Sequence, residues 1–220
     1  MGKEAVDYYE SLGINWNVYP FCYCTQAIPP VAKDTNLEVK LPQYLFCGSL
    51  TSWKDPFAIA RGLSRIDANN IGEVHYIGDG PLRIPLEKEI LKLNLKDKIH
   101  LLGTKSQAEV PYFMQQADIF ILPSIYDGWG AVVNEALQAG CYVICSDAAG
   151  ASDLILNDKR LGFVFHRGNV KQLAEAMSWC NEHIHEIRSN RHFRMQWAED
   201  HISGKAVAKY MIDCLEKSMN

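Results

Sequence analysis

The chain has 220 residues, a formal charge of −4 and 48% hydrophobic residues, enough to bury a core as one large domain or two small ones. The mild acidity and the lack of any Lys/Arg run argue against a nucleic-acid partner. No stretch of about 18 apolar residues is present to span a membrane, and the start MGKEAVDYYE has no apolar signal core.

Residues 1–40 open with a short helical pattern and continue into VYPFCYCTQAIPPV, which has no periodicity and reads as a connecting segment. Short, continuous apolar runs then recur: YLFC (44–47), VHYI (74–77), IHLL (99–102), IFIL (119–122), YVIC (142–145) and GFVF (162–165). Continuous rather than alternating runs imply burial on both faces, and the helical stretches between them imply parallel connections. The expectation is an α/β, Rossmann-like parallel sheet of about six strands with helices on both faces.

The connections carry their own signals. Pro56 stands where a helix starts, with Ile59, Ala60, Leu63 and Ile66 on one face. GDGP (78–81) is a glycine turn that close strand–helix packing explains without any ligand. Ser106 and Glu109 form a capping-box pattern, although Pro111 stands late for an unbroken helix. Asn169 can cap a helix whose Val170, Leu173, Ala174 and Met177 face inward, and the pattern stays helical to residue 218. The expected division is 1–40 connecting segment, 41–185 ligand-binding domain and 186–220 C-terminal helices.

The most informative stretch is 119–155, IFILPSIYDGWGAVVNEALQAGCYVICSDAAGASDLI. An apolar strand stops at Pro123, a loop with Gly128 and Gly130 follows, and a helix opens near Gly130 and stops at Gly140. The first turn of a helix leaves backbone N–H groups unpaired at the positive end of its dipole, so Gly128, Trp129, Gly130, Ala131 and Val132 form a candidate diphosphate cradle. Two carboxylates bracket that turn, Asp127 before it and Glu135 inside it. Carboxylates repel phosphate and accept hydrogen bonds from hydroxyls, so together they suit a nucleotide sugar. Glu135 shares a helix face with Ala131 and Gln138, away from Val132, Val133, Ala136 and Leu137, which places it outside the core.

Pro123, Ser124, Asp127, Gly128, Trp129, Gly130, Glu135, Ala136, Gly140, Val143, Gly150 and Asp153 stand in register with the pattern PSxxEGFGxxxxEAxAxGxPVVxxxxGGxxE. On these residues the chain resembles the retaining glycosyltransferases of family 4, in the donor-binding half of their GT-B fold, from about Gln43 to Cys180. The resemblance implies transfer of a sugar from a nucleoside diphosphate to an acceptor hydroxyl. Glu135 would bind the ribose and Asp127, shorter than the family's glutamate, the transferred sugar. Trp129 takes the family's aromatic position, where packing beneath the loop is the expected role. Lys54 takes the lysine position that steadies the leaving diphosphate, and Ser49 stands where the family carries arginine, a loss that Arg83 or a residue of another domain would have to cover. Thr104 and Lys105 follow the third strand at the edge where related enzymes hold the base.

No acidic D-x-D pair is present, in keeping with the metal-independent, cofactor-free chemistry that the resemblance implies. The acceptor sugar or glycolipid would be held by an N-terminal half outside this chain, so the chain alone is expected to bind donor but transfer little. The resemblance also implies a cytoplasmic setting, with peripheral contact at the inner membrane face through that other half, in polysaccharide or glycolipid synthesis. Rival readings are an inactive nucleotide-sugar-binding module and a related sugar-nucleotide epimerase. The seven cysteines contain no C-x-x-C pair and read as reduced, partly buried thiols. His183, His185 and His192 read as solvated, and Trp179, Trp197 and Tyr210 as packing.

Overall fold

The structure, a computed structural model, describes residues 3–14, 18–25, 28, 41–67 and 72–219. Six strands form one sheet: β1 (Gln43–Cys47), β2 (Glu73–Ile77), β3 (Ile99–Leu101), β4 (Ile119–Leu122), β5 (Tyr142–Ser146) and β6 (Gly162–Phe165). All pairings are parallel, in the order β3-β2-β1-β4-β5-β6. Every expected strand is present within one residue of its expected bounds. Each residue of β4 and β5 is buried, which is why these runs are apolar without alternation.

Side chains alternate between two cores. Tyr44, Phe46, Val74, Tyr76, Ile119 and Ile121 face α2 (Phe57–Leu63), α3 (Arg83–Lys92), α6 (Val170–Glu182) and α7 (Ile184–Ser189). Leu45, Ile77, Phe120, Leu122 and Val143 face α4 (Val110–Gln116), α5 (Ala131–Gln138) and α8 (Arg191–Ile202). Two further helices, α1 (Lys3–Ser11) and α9 (Gly204–Met219), flank the ends of the chain.

Local signals decide the helix starts. Pro56 is the residue before α2, and Asn169 Oδ1 accepts the Gln172 amide at 3.1 Å to cap α6. Glu109 does reach back to the Ser106 amide, at 2.8 Å, but it closes a turn rather than the helix. With its ring in the first turn, Pro111 lets α4 begin only at Val110. The GDGP turn serves packing: a Cβ on Gly78 would stand 1.9 Å from Gly48 O, at a φ of +130°. That close approach lets Gly48 N–H donate to Ile77 O and Leu50 N–H to Asp79 O, lacing the loops after β1 and β2 together.

The helical tail packs on the sheet domain. Ala198 and Ile202 of α8 join the second core, and Arg194, 1% exposed, donates to Gly140 O, Arg160 O and Ile187 O. Of the expected connecting segment, residues 18–25 lie against α5: Asn134 Nδ2 donates to Tyr23 O at 2.6 Å and Thr25 Oγ1 to Gln138 Oε1 at 3.2 Å. Residues 1–2, 15–17, 26–27 and 29–40 of that segment lie outside the described residues. All seven cysteines are free thiols, three of them buried.

Candidate donor site

The strand order reverses between β1 and β4, so the connections leaving their C-terminal ends diverge and open a crevice. The loop after β1 holds a 3-10 turn, Ser52–Lys54, and the loop after β4 runs through Asp127 to Gly130. Trp53 O accepts the Ile125 and Tyr126 amides at 2.8 and 3.2 Å, which ties the two loops edge to edge. That tie brings Lys54 Nζ into an ion pair with Asp127 Oδ2 in a partly buried setting, with side chains 25% and 12% exposed. A cavity of about 540 Å³ opens there, lined by Ser49, Thr51, Trp53, Lys54, Tyr126, Asp127 and Gly128.

The start of α5 borders this cavity. Gly130 precedes the helix in the left-handed region at φ +84°, a conformation glycine adopts without strain. Val133 N–H turns back to Gly130 O, while the amides of Ala131 and Val132 precede any intrahelical acceptor. Gly128 and Ala131 are exposed, and nothing lies within 4 Å of a Cβ built on Gly128. Beneath the loop, Gly150 and Asp153 belong to a 3-10 turn (Gly150–Leu154), and Ala151 N–H donates to Trp129 O at 2.8 Å.

Glu135 lies one turn into α5, half-buried, its carboxylate with no hydrogen-bond or ion-pair partner among the described residues. Burial raises its pKa above the ordinary glutamate value. Its charge is felt at Cys47, the last residue of β1, whose thiol is pushed up to about 11 by burial and then by Glu135. Glu135 therefore overlooks the end of β1, from which the chain leads through Gly48 and Ser49 to Lys54.

The structure thus brings Ser49, Lys54, Asp127 and Gly128 to one cavity and sets Gly130, Ala131, Val132 and Glu135 along the adjoining helix start. Trp129 is different. Its ring is buried, Nε1 donates to Asn134 Oδ1 at 2.9 Å, and it packs on Tyr23 with centroids 5.8 Å apart, so only its main chain belongs to the loop surface. Thr104 and Lys105 follow β3, two strands from β1, and do not line the cavity; Lys105 Nζ instead lies 5.6 Å from the Phe113 ring. Arg83 is engaged by Asp79 and Glu87 at the start of α3 and is not among the lining residues. Thr51, Trp53 and Tyr126 line the cavity but were not singled out from the sequence. Their signal was adjacency, since Trp53 precedes Lys54 and Tyr126 precedes Asp127.

A doubly wound parallel sheet with a bare helix start and two carboxylates at its switch point defines a Rossmann-like domain suited to a nucleotide ligand. The chain belongs to the family Glycosyl transferases group 1, whose profile matches residues 29–191. It is 30% identical over 115 residues to the 2-deoxystreptamine N-acetyl-D-glucosaminyltransferase of Niallia circulans, covering 50% of this chain and 28% of that one. It is 27% identical over 151 residues to the Escherichia coli UDP-Gal:alpha-D-GlcNAc-diphosphoundecaprenol alpha-1,3-galactosyltransferase, covering 66% and 38%. The chain thus spans well under half the length of these curated relatives. Among solved structures, the sucrose-phosphate synthase of Thermosynechococcus elongatus superposes with a TM-score of 0.78 at 18% identity, over 99% of this chain and 57% of that one. Anabaena HepE in complex with UDP superposes with a TM-score of 0.70 at 20% identity, over 81% and 49%. These likenesses show that the Rossmann-like fold of this chain recurs over about half of each of those solved chains. No helix among the described residues is long and apolar enough to cross a membrane.

Proposed function

We propose that this chain is the C-terminal, donor-binding half of a retaining, family 4 glycosyltransferase that moves a sugar from a nucleoside diphosphate to an acceptor hydroxyl. The observation that carries this reading is the Lys54–Asp127 pair in a cavity bordered by the exposed start of α5. The amides of Gly128 to Val132 and the helix dipole hold the diphosphate, and Glu135 accepts from the ribose hydroxyls. Lys54 exchanges Asp127 for phosphate oxygens as charge grows on the leaving group, while Asp127 turns to the sugar hydroxyls. The anomeric carbon gains oxocarbenium character, and the acceptor attacks from the face the diphosphate leaves, its proton passing to the departing phosphate. The UDP named for the E. coli relative and for the HepE complex supports a uridine diphosphate sugar as donor.

Positive charge comes from Lys54 and the helix end in this scheme, so donor binding needs no metal and is unchanged by EDTA. The acceptor belongs to an N-terminal half, and the setting is polysaccharide or glycolipid synthesis at the cytoplasmic face of a membrane. Calorimetry of the chain against UDP, GDP and ADP tests the reading: UDP binds best, and failure of all three to bind overturns it. An inverted anomeric product, detected by NMR with the full-length protein, overturns retention alone. A second reading, a binding module without catalysis, is favoured by Ser49 at the family's arginine position, which leaves Lys54 as the only cation among the lining residues. It predicts that Asp127→Ala in the full-length protein changes no transfer rate, because there is none to change.

A further inference from the structure

β2 and β3 form the outer pair at one edge of the sheet, and the parallel register sets His75 directly opposite His100. Glu73 lies two residues before His75 on β2 and so projects from the same face. Its Oε2 stands 3.8 Å from His75 Nε2 and 3.9 Å from His100 Nε2. One ligand atom from each residue lies within 4.8 Å of the others, and the two rings are tilted by 50° with centroids 5.3 Å apart. A tetrahedral zinc ion with bonds of about 2.0–2.2 Å needs donors about 3.3 Å apart, so the two Glu73–histidine legs close by roughly half an ångström and the two imidazoles by up to about 1.5 Å through side-chain rotation. The room exists, because the side chains are 32%, 38% and 49% exposed for His75, His100 and Glu73, while the strand ladder fixes their Cα positions.

The donor chemistry selects the metal. Two imidazoles and one carboxylate match zinc sites that keep a position open, whereas calcium and magnesium take oxygen donors alone. His75 also lines a second cavity of about 220 Å³ with Tyr112, Phe113 and Gln116.

We propose that Glu73, His75 and His100 bind one zinc ion on the β2–β3 edge of the sheet, apart from the donor cleft. Glu73 opens β2, whereas the donor residues follow the C-terminal ends of β1 and β4, so this metal takes no part in sugar transfer. Its effect is to clip β3, a strand of three residues, to β2, its one neighbour among the described strands.

The test is zinc titration calorimetry on the chain freed of any affinity tag, alongside Glu73→Gln and His100→Gln, which alter exposed or partly exposed side chains. One equivalent of zinc binds the unaltered chain, and each variant weakens it by about tenfold or more, at least what losing an outer partner of a metal ligand brings. Zinc raises the melting temperature of the unaltered chain and not of the variants. Cobalt in the same site shows no thiolate charge-transfer band, which separates it from chance capture by the exposed Cys24. Absent uptake, uptake undiminished in both variants, or a cobalt–thiolate band overturns the proposal. UDP binding is read separately, so failure here leaves the donor site standing.

Discussion

Glu135→Gln should move stability and ligand affinity in opposite directions. Glu135 keeps a carboxylate half out of water with no partner among the described residues, and burial raises its pKa above the 4.5 of an unperturbed glutamate. Folding therefore favours the protonated form. The associated stability is complete below 4.5 and is lost as pH rises through the raised folded-state value. At neutral pH the ionised side chain works against the fold, so a neutral isostere raises the melting temperature there, and the gain fades as pH falls below 4.5. Affinity responds to a different term. A carboxylate accepts from both hydroxyls of a ribose, whereas the amide offers one acceptor and a misplaced donor. Losing one hydrogen bond to a charged group costs about 1.5–3 kcal/mol, roughly a 10- to 150-fold weaker Kd for UDP. Thermal melts across pH and calorimetry with UDP read both quantities. A lower melting temperature at neutral pH would make Glu135 a structural residue, and an unchanged Kd would remove it from the ribose site.

Asp127→Asn frees Lys54 and removes a negative charge from the cavity, so UDP without a sugar binds more tightly by about 1 kcal/mol, roughly fivefold, while transfer by the full-length protein falls. Calorimetry beside an activity assay checks it, and equal losses in both would contradict it. Arg194→Met leaves three carbonyls without their donor and costs about 3–5 kcal/mol, seen as a urea midpoint lower by more than about 1 M. Gly78→Ala forces a methyl against Gly48 O and abolishes soluble, folded chain. Gly128→Ala meets open space, so it leaves the melting temperature within about 2 °C but raises the Kd for UDP, because the methyl stands where the ligand approaches.

The strands were legible because burial on both faces leaves a plain mark, a run of apolar residues without alternation, and β4 and β5 bear it most clearly. The glycine loop and its two carboxylates were legible for a different reason: they lie close in sequence, so short-range spacing reports their geometry. What depends on long-range contact was hidden. Reversal of strand order between β1 and β4 has no local signature, yet it decides that Lys54 meets Asp127 and that Thr104 and Lys105 lie two strands away. Arg194 reads as one more polar residue in a helical tail, although it is buried against carbonyls 54 and 34 positions back in the chain. VYPFCYCT lacks periodicity because its contacts to α5 run through Tyr23 O and the Thr25 side chain rather than through a repeating face. His75 and His100 vanish inside apolar strands until the register sets them side by side.

Under the proposed function, charge in the cavity explains why a sugar and a diphosphate would be recognised together. The lining residues carry one cation and one anion, Lys54 and Asp127, already joined to each other. A diphosphate entering alone meets a locally neutral wall and gains only the amides and dipole at the start of α5 until Lys54 changes partner. That exchange strands Asp127, 12% exposed, without a counter-charge, a costly state unless other donors reach it. Sugar hydroxyls are such donors. An intact nucleotide sugar therefore satisfies Asp127 as it draws Lys54 toward phosphate, whereas the spent diphosphate leaves Asp127 and phosphate competing for the same ammonium. In that scheme carboxylate and lysine would act as one switch, closed on itself when the cleft is empty and opened by a ligand that brings both hydroxyls and negative charge. On this reasoning, release of the nucleotide after transfer is helped by Asp127 reclaiming Lys54. Ser49, a neutral residue in the same lining, keeps that competition down to a single cation.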